Sequence, residues 1–425
     1  MTTRYLLLGN GIAGISAAQE IRRLDPAGQV TIVSDEDALG YSRVMLPLYI
    51  AGKRSRGALV FAPRAFYAAH GIRLVQRQAA EAVDTTAQRV RLASGRVLPY
   101  DRLLVATGSS PRTLDVPGKE LAGVVTLRKL ADARAIKARL RSSPGPVVIV
   151  GAGPVGVKSL EALAGKGREV HLVVSSDRIL SQVLDRTASD FFLRAFQRRG
   201  VHVHLRTDVL AFHGRDGEVE AVSLSDGARL PCGLALIGKG VEPNVACLRD
   251  SGLVLRQGVQ VDEHMATGVP GVYAAGDVAE PPDAPRGAHA PSTIWPSAAE
   301  GGRIAGANMA GVPARFSGAL RMNAAEVLGV RVVSAGEPDG GQTLSRIRPE
   351  APLYRKLVHA DGRLAGYLLL GDIRGAGVLT ALVKSRTAVS AALLERELER
   401  GVSYRPRLAA TSGAARAATC GGTGN

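Results

Sequence analysis

Cysteine is scarce in this sequence, and the three cysteines present are scattered, at positions 232, 247 and 420. Such spacing does not suggest a disulfide framework, and unpaired thiols are typical of a reducing cytoplasm. The chain has no C-x-x-C motif and no set of cysteines for an iron–sulfur cluster. We therefore expect a cytoplasmic protein that has no metal site.

Long apolar runs are absent as well. No stretch approaches the ~18–20 consecutive apolar residues that cross a bilayer, and no signal-peptide core precedes the turn at Gly9. Aromatic residues make up only 4% of the chain, whereas glycine, with 50 residues, is abundant. The sequence therefore predicts no membrane association, and its glycine content suits close backbone turns around ligands.

Negative charge is in deficit, since 54 Lys and Arg face 38 Asp and Glu, a formal net charge of +16. A basic surface can steer an acidic electron-transfer protein or bind nucleic acid. Arginine greatly outnumbers lysine and is spread along the whole chain, which favours a general compositional bias. We do not expect nucleic-acid binding. The 425 residues allow two or three domains with ample core.

The chain is organised around a glycine-rich turn at residues 9–14, which lies between an apolar run and a helical pattern. In this context Gly9 permits a tight turn, Gly11 lets the backbone approach a pyrophosphate, and Gly14 lets helix and strand pack closely. The helix N terminus adds free N–H groups and a positive dipole. Glu36, about 20 residues further on, is the acid expected to hydrogen-bond a ribose. The pattern predicts dinucleotide binding.

A second glycine turn at residues 151–156 repeats the pattern between apolar runs at 147–150 and 170–174. One such turn occurs in many enzymes, but two in one chain imply two dinucleotides. Electron transfer is the physical reason to hold two, because one can stay bound while the other exchanges.

The second apolar run ends without a carboxylate, in Val174-Ser175-Ser176. Loss of that carboxylate removes an acceptor for the 2′-hydroxyl of NADH and also the repulsion that excludes the 2′-phosphate of NADPH. Arg178 could pair with such a phosphate or be a surface residue. The choice between NADH and NADPH is open at this stage.

Three further motifs favour a nucleotide-binding sheet. Residues 106–108, Ala-Thr-Gly, end an apolar run, and ligands bind outside the carboxyl ends of strands in such sheets. Asp277 follows Ala-Ala-Gly and could accept hydrogen bonds from a polyol chain, or else cap a helix. A helix is predicted from about Ser297, with its N terminus towards an electron-rich ring.

Together these motifs resemble the pyridine nucleotide–disulfide oxidoreductase superfamily, in the branch of rubredoxin reductases, dioxygenase ferredoxin reductases and nitrite reductase flavoproteins. The resemblance implies an α/β fold with two Rossmann-like dinucleotide-binding domains and a C-terminal α+β interface domain. We expect a discontinuous FAD domain at 1–113 and 242–313, an NAD(P)H domain at 114–241, the interface domain at 314–405 and a disordered tail at 406–425.

In that family the first turn holds the FAD pyrophosphate, an acid like Glu36 holds the adenosine ribose, and an Asp like Asp277 binds the ribityl chain. The loop at 41–43 lies beside the isoalloxazine, and the helix after Trp295 points at the pyrimidine edge of the flavin. The resemblance implies contacts to FAD from Gly9, Gly11, Gly14, Glu36, Arg43, Ala106, Thr107, Gly108 and Asp277, and to NAD(P)H from Gly151, Gly153, Gly156, Arg178 and Gly238.

The sequence departs from the family pattern in three places. Residues 36–53 contain no cysteine, which argues against reduction of disulfides or peroxides by a thiol relay. Pro47-Leu48 replaces the Ser-Lys of rubredoxin reductase-like members, and Lys158 replaces the Glu of the second turn. We hypothesise that Lys158 enters the flavin pocket and supplies the missing cation, the alternative being a solvated helix residue. Lys158 and Arg43 are the candidate catalytic residues.

The sequence thus predicts an FAD-dependent oxidoreductase that passes electrons from NADH or NADPH to an external redox protein such as rubredoxin or ferredoxin. One alternative is the flavoprotein component of a nitrite reductase-type system. Another is a redox-sensitive binding protein like apoptosis-inducing factor. The family's C-terminal domain often lies at a dimer interface, so a homodimer is also expected.

Overall fold

Two parallel β-sheets of the same design form the centre of the computed structural model, which describes residues 2–164, 167–282, 289–337, 339–348 and 350–400. In spatial order the strands of the first sheet are Val272–Ala274, Arg102–Val105, Arg4–Leu8, Gln29–Val33 and Ile72–Val75. Those of the second are Val124–Thr126, Leu234–Ile237, Val147–Val150, Val170–Val174 and Val201–Leu205. In each sheet the middle strand leads into a glycine turn. The predicted pair of Rossmann-like folds is confirmed.

The first sheet is covered by two helices that touch backbone to backbone, Ile12–Leu24 and Trp295–Met309. A Cβ atom on Gly302 would lie 2.2 Å from the carbonyl oxygen of Ala13, and one on Gly306 would lie 2.6 Å from that of Ala17. Only glycine permits this approach, so the seam joins the beginning of the chain to residues far along it. The second helix begins two residues before the predicted start at Ser297.

A three-stranded antiparallel meander, Ala80–Asp84, Arg89–Leu92 and Val97–Pro99, lies beside the first sheet. The sequence predicts a meander over residues 72–98, and this was wrong for Ile72–Val75, which pairs in parallel with Gln29–Val33. The residues Ile72-Arg73-Leu74 alternate apolar and polar side chains as a meander strand does, so the sequence pattern did not separate the two kinds of strand. The remaining short elements are Gly40–Tyr41, Arg43–Met45, Leu46–Ile50, Gly57–Leu59, Val60–Ala62, Arg64–Ala69, Ser109–Pro111, Val241–Pro243, Ala246–Leu248, Val259–Gln260 and Ala279–Glu280.

Helices and a second meander enclose the second sheet. The helices are Leu130–Ser142, Pro154–Ala164 and Arg186–Gln197, and the meander strands are Val209–Arg215, Glu218–Leu224 and Arg229–Pro231. Because both faces are covered, its three inner strands are buried along their whole length.

The C-terminal part forms a five-stranded antiparallel sheet with two helices, as predicted for an α+β unit. In spatial order its strands are Met322–Val327, Val330–Gly336, Arg363–Leu370, Leu353–Ala360 and Gln342–Arg348, and its helices are Ala376–Ser385 and Ala391–Arg400. It packs on the second sheet's unit, where the Tyr354 hydroxyl donates to Asp185 at 2.8 Å. The predicted tail at 406–425 lies outside the described residues. Within the described ranges, every helix is too short or too polar to cross a bilayer.

Candidate functional site

A cavity of about 770 Å³ opens at the carboxyl end of the first sheet. Its size is within the range of sites for cofactor-sized molecules. It is lined by the first glycine turn, by the ends of three strands and by the start of the helix Trp295–Met309. Every predicted FAD contact lines this cavity except Gly14, which is buried behind the turn. Residues scattered over most of the chain therefore meet at one place.

The glycines of the first turn serve two different purposes. Gly9 has a φ of +128°, and a Cβ there would lie 2.0 Å from the carbonyl oxygen of Ala106. A Cβ on Gly14 would lie 2.1 Å from the carbonyl oxygen of Gly9. At Gly11, by contrast, the nearest atom to a Cβ would be Arg43 Nη1, at 3.6 Å. Gly9 and Gly14 are thus required by packing, whereas Gly11 leaves the backbone open towards the cavity.

Glu36 is held in the cavity wall by two donors. The Tyr41 hydroxyl donates to Oε2 at 2.7 Å, and Arg43 Nη2 donates to Oε1 at 2.6 Å. Burial raises the pKa of Tyr41 above that of a free phenol, so this group remains a donor at neutral pH. The Tyr41 oxygen also accepts from the backbone N–H of Leu130 at 2.9 Å. A carboxylate with fixed geometry therefore faces the cavity, as a ribose ligand would need.

Two buried polar atoms of the cavity wall have no hydrogen-bond partner among the residues that the structure describes. They are the Nε of Arg43, a donor, and the Oε1 of Gln78, an acceptor. Leaving such atoms unpaired is costly, by roughly 1–3 kcal/mol each. A dinucleotide offers phosphate oxygens for the first and an adenine amino group for the second, so the wall fits FAD. Gln78 could not be predicted from the sequence, because a single glutamine in a loop has no distinguishing pattern.

Asp277 receives two hydrogen bonds at the opposite side of the cavity. Ser109 Oγ donates at 2.8 Å and Arg128 Nη2 at 2.7 Å, and the Asp277 side chain is only 15% exposed. Arg128 belongs to the connection between the strand Val124–Thr126 and the helix Leu130–Ser142, so it reaches the first sheet from the second sheet's side. Arg128 and Ser109 could not be predicted from the sequence, since only the fold brings them to Asp277.

The second glycine turn repeats the geometry of the first. Gly151 has a φ of +102°, and a Cβ there would lie 2.5 Å from the carbonyl oxygen of Gly238. A Cβ on Gly156 would lie 2.0 Å from the carbonyl oxygen of Gly151, whereas one on Gly153 would come no closer than 3.8 Å to any atom outside its own neighbours. The carbonyl oxygen of Gly238 thus packs against Gly151 just as that of Ala106 packs against Gly9.

Arg178 is occupied by its own loop. Its guanidinium donates to the carbonyl oxygens of Ser181, at 3.2 Å, and Leu184, at 3.3 Å, and pairs with Asp177 at 3.1 Å. These bonds hold the loop after the strand Val170–Val174. The structure therefore gives no support to Arg178 as a phosphate ligand, and that role stays a prediction.

Comparison with known proteins gives this architecture its family. Residues 3–301 match the sequence profile of the pyridine nucleotide-disulphide oxidoreductases. The chain belongs to this family. It is accordingly an FAD-dependent NAD(P)H oxidoreductase.

Three similar proteins add detail. The ferredoxin reductase component of chlorobenzene dioxygenase from Cupriavidus sp. is 30% identical to this oxidoreductase, over 93% of this chain and 95% of that one. The assimilatory nitrate reductase electron transfer subunit of Bacillus subtilis is 29% identical over 90% of the chain, which spans about half, 49%, of that subunit's length. The crystal structure of the covalent putidaredoxin reductase–putidaredoxin complex has a TM-score of 0.87 and 25% identity, covering 94% of this chain and 98% of that one.

The described cysteines of this oxidoreductase are unsuited to a thiol relay. Cys232 is buried, and burial raises its pKa to about 12. Cys247 lines the cavity, and burial raises its pKa as well. A relay needs a thiolate, which forms at low pKa. Cys420 lies outside the described residues.

Lys158 lies on the helix Pro154–Ala164, is partly exposed and does not line the cavity. One turn further along this helix, Glu161 accepts a hydrogen bond at 2.8 Å from Lys53, which follows the helix Leu46–Ile50. The pair Lys53–Glu161 therefore joins the two nucleotide-binding units. The family pattern has its Lys and its Glu at the positions of Leu48 and Lys158 instead. The hypothesis that Lys158 acts beside the flavin stays a prediction.

Proposed function

We propose that this oxidoreductase takes hydride from NADH or NADPH onto FAD and passes the electrons to an external carrier of the ferredoxin or rubredoxin type. The observation that carries the proposal is the pairing of two glycine turns of equal geometry with the unreactive character of the described thiols. Two dinucleotides can be held, but neither of the two thiols in the described part of the chain has the low pKa needed to take the electrons onwards. They must leave to a separate molecule.

FAD, when bound, supplies a ring that accepts a hydride and releases electrons one at a time. The residues of this chain orient it. The first glycine turn would hold the pyrophosphate, Glu36 the adenosine ribose, and Asp277 the ribityl chain, each lining the cavity. We propose Arg43 as a phosphate ligand, because it pairs with Glu36 and lies close to Gly11, whereas the family resemblance implied a place beside the isoalloxazine. The Arg128 guanidinium pairs with Asp277 and holds its side chain in place.

The helix Trp295–Met309 would stabilise the negative charge that develops on the reduced ring. Its N terminus reaches the cavity at Ile294 and Trp295. A helix N terminus carries about half a positive charge. Fixed dipoles of this kind favour the charged product without any reorganisation during the reaction.

The acceptor is proposed from relatives and from charge. One relative is named as a ferredoxin reductase component, and the structural neighbour is a reductase joined to putidaredoxin. The net charge of +16 would draw an acidic carrier. The similarity to a nitrate reductase electron transfer subunit supports a variant of the proposal, in which the acceptor is a metal-centre subunit. The homodimer through the C-terminal sheet stays a prediction.

Anaerobic titration tests both halves of the proposal. The purified protein is titrated with NADH and with NADPH while the flavin absorbance band at about 450 nm is followed. A ferredoxin or a rubredoxin is then added to the reduced protein. We expect bleaching by a nicotinamide and reoxidation by a carrier. A protein that stays colourless after incubation with FAD would refute the proposal. If neither carrier reoxidises the reduced protein, the proposed ferredoxin or rubredoxin acceptor is wrong.

A further inference from the structure

We infer that the second nucleotide site is built for a dinucleotide with a 2′-phosphate, NADPH, and that Lys239 is the residue that selects it. The inference rests on the proposed function, because it assigns a donor to the site at residues 151–156. Lys239 is not among the NAD(P)H contacts that the family resemblance implies.

The position after the second glycine turn at which such folds bind the adenosine ribose has no carboxylate in this chain. In sheets of this kind an acid at the end of the second strand accepts from the ribose 2′-hydroxyl of NADH. Here that strand ends at Val174, whose side chain is 2% exposed and belongs to the core. The next residue, Ser175, offers a hydroxyl. The acceptor that favours NADH is therefore missing from its usual position.

The ammonium group of Lys239 lies beside Ser175, in a region that we call the corner. Lys239 directly follows Gly238, whose carbonyl oxygen lies against the second glycine turn. Its side chain reaches from there, past the end of the middle strand, to the end of the next strand, where its ammonium donates to Ser175 Oγ. It also contacts Asp208 Oδ1 at 3.3 Å. The Lys239 side chain is only 23% exposed, so its position is defined by its surroundings.

The carboxylates near this corner are already engaged. Asp177 is paired with Arg178 and Arg186. A hydrogen bond from Ser175, together with the charge of Lys239, lowers the pKa of Asp208, which stays ionised. Arg178 and Arg186 thus share Asp177, and Lys239 pairs with Asp208. Among the described residues the Lys239 ammonium makes two hydrogen bonds, so its third N–H can donate to a further acceptor. A 2′-phosphate supplies that acceptor, whereas a ribose hydroxyl would have to compete with Lys239 for Asp208.

Binding of adenosine fragments tests this without any flavin chemistry. The affinities of the purified protein for 2′,5′-ADP and for 5′-AMP are measured by calorimetry, for the wild type and for Lys239→Gln. We expect the wild type to bind 2′,5′-ADP at least 10-fold more tightly, and Lys239→Gln to lose most of that difference. Equal affinities in the wild type, or a difference that survives Lys239→Gln, would overturn the inference.

Kinetics provide the second readout. We expect kcat/KM of the wild type for NADPH to exceed that for NADH, and Lys239→Gln to lower the NADPH value about 10- to 100-fold, mainly through KM, with a much smaller change for NADH. The matched control is Arg186→Gln, at an exposed basic residue nearby that pairs with Asp177, and it should leave the NADPH/NADH ratio as it is. A ratio that collapses in this control would show that the general positive charge of the region, and not Lys239, selects the donor. If neither nicotinamide reduces the flavin, the proposed function fails, while the fragment affinities still decide this inference.

Discussion

Alanine at Gly14 should destabilise the fold and weaken FAD binding, whereas alanine at Gly11 should weaken FAD binding alone. A Cβ at Gly14 would lie 2.1 Å from the carbonyl oxygen of Gly9, so the helix must move away from the turn by about 1 Å. Overpacking of this kind costs about 1–3 kcal/mol, and the obstacle here is backbone. Gly14→Ala should therefore lower the urea midpoint of the apoprotein and also weaken FAD binding.

Gly11→Ala should leave the fold nearly intact. Gly11 has a φ of −85°, which alanine adopts freely, and a Cβ there would meet only the end of the Arg43 side chain, at 3.6 Å. The loss of stability should stay below about 1 kcal/mol. The methyl group would, however, hold a pyrophosphate away from the backbone. Loss of one hydrogen bond to a charged group, about 1.5–3 kcal/mol, weakens FAD binding about 10- to 100-fold.

The assay compares two measurements on the same apoproteins, namely urea unfolding followed by circular dichroism and FAD titration followed by quenching of flavin fluorescence. Tight FAD binding by Gly11→Ala would show that the phosphates do not lie against this turn. Wild-type stability of Gly14→Ala would show that the close contact with Gly9 can relax at no cost. Either result would refute the division of roles between the two glycines.

Three more predictions follow from the structure. Gly153→Ala should keep FAD, because a Cβ at this position stays 3.8 Å from the nearest carbonyl oxygen, and should raise KM for the nicotinamide at least tenfold; an unchanged KM would refute a dinucleotide at this turn. Burial raises the pKa of Cys232 from about 9 to about 12, so in the native protein this thiol should resist iodoacetamide up to pH 10, as peptide mass spectrometry can show. The thiol of the unfolded chain ionises at lower pH than the buried one. The buried thiol therefore contributes stability below pH 9 that is lost as the pH rises towards 12. Lys158→Met tests the remaining sequence hypothesis, since slower hydride transfer in stopped flow would support it and an unchanged rate would refute it.

The parts of the site that could be predicted from the sequence are those encoded locally. The glycine turns are short motifs whose spacing reflects backbone geometry, so Gly9, Gly11 and their counterparts were found at once. Asp277 was found because it directly follows a strand pattern. In each case the physical requirement and the residues that meet it lie within about 20 residues of one another.

Contacts made by the fold could not be predicted. Arg128 meets Asp277 across 149 positions of the chain, and Lys239 meets Ser175 across 64. Neither residue has a local pattern, since a basic side chain in a loop is usually solvated. Arg178 shows the converse, because its position near the strand end suggested a ligand contact, whereas the nearby carbonyl oxygens of Ser181 and Leu184 take its N–H groups.

The seam between the helices Ile12–Leu24 and Trp295–Met309 bears on how the protein is made. All five strands of the second sheet lie between residues 124 and 237. That unit can therefore be completed on the ribosome before the helix Trp295–Met309, which packs on Ile12–Leu24, has been translated. Domains fold as units during synthesis. The newborn chain should therefore assemble its middle first and close the flavin pocket only once residue 309 has emerged.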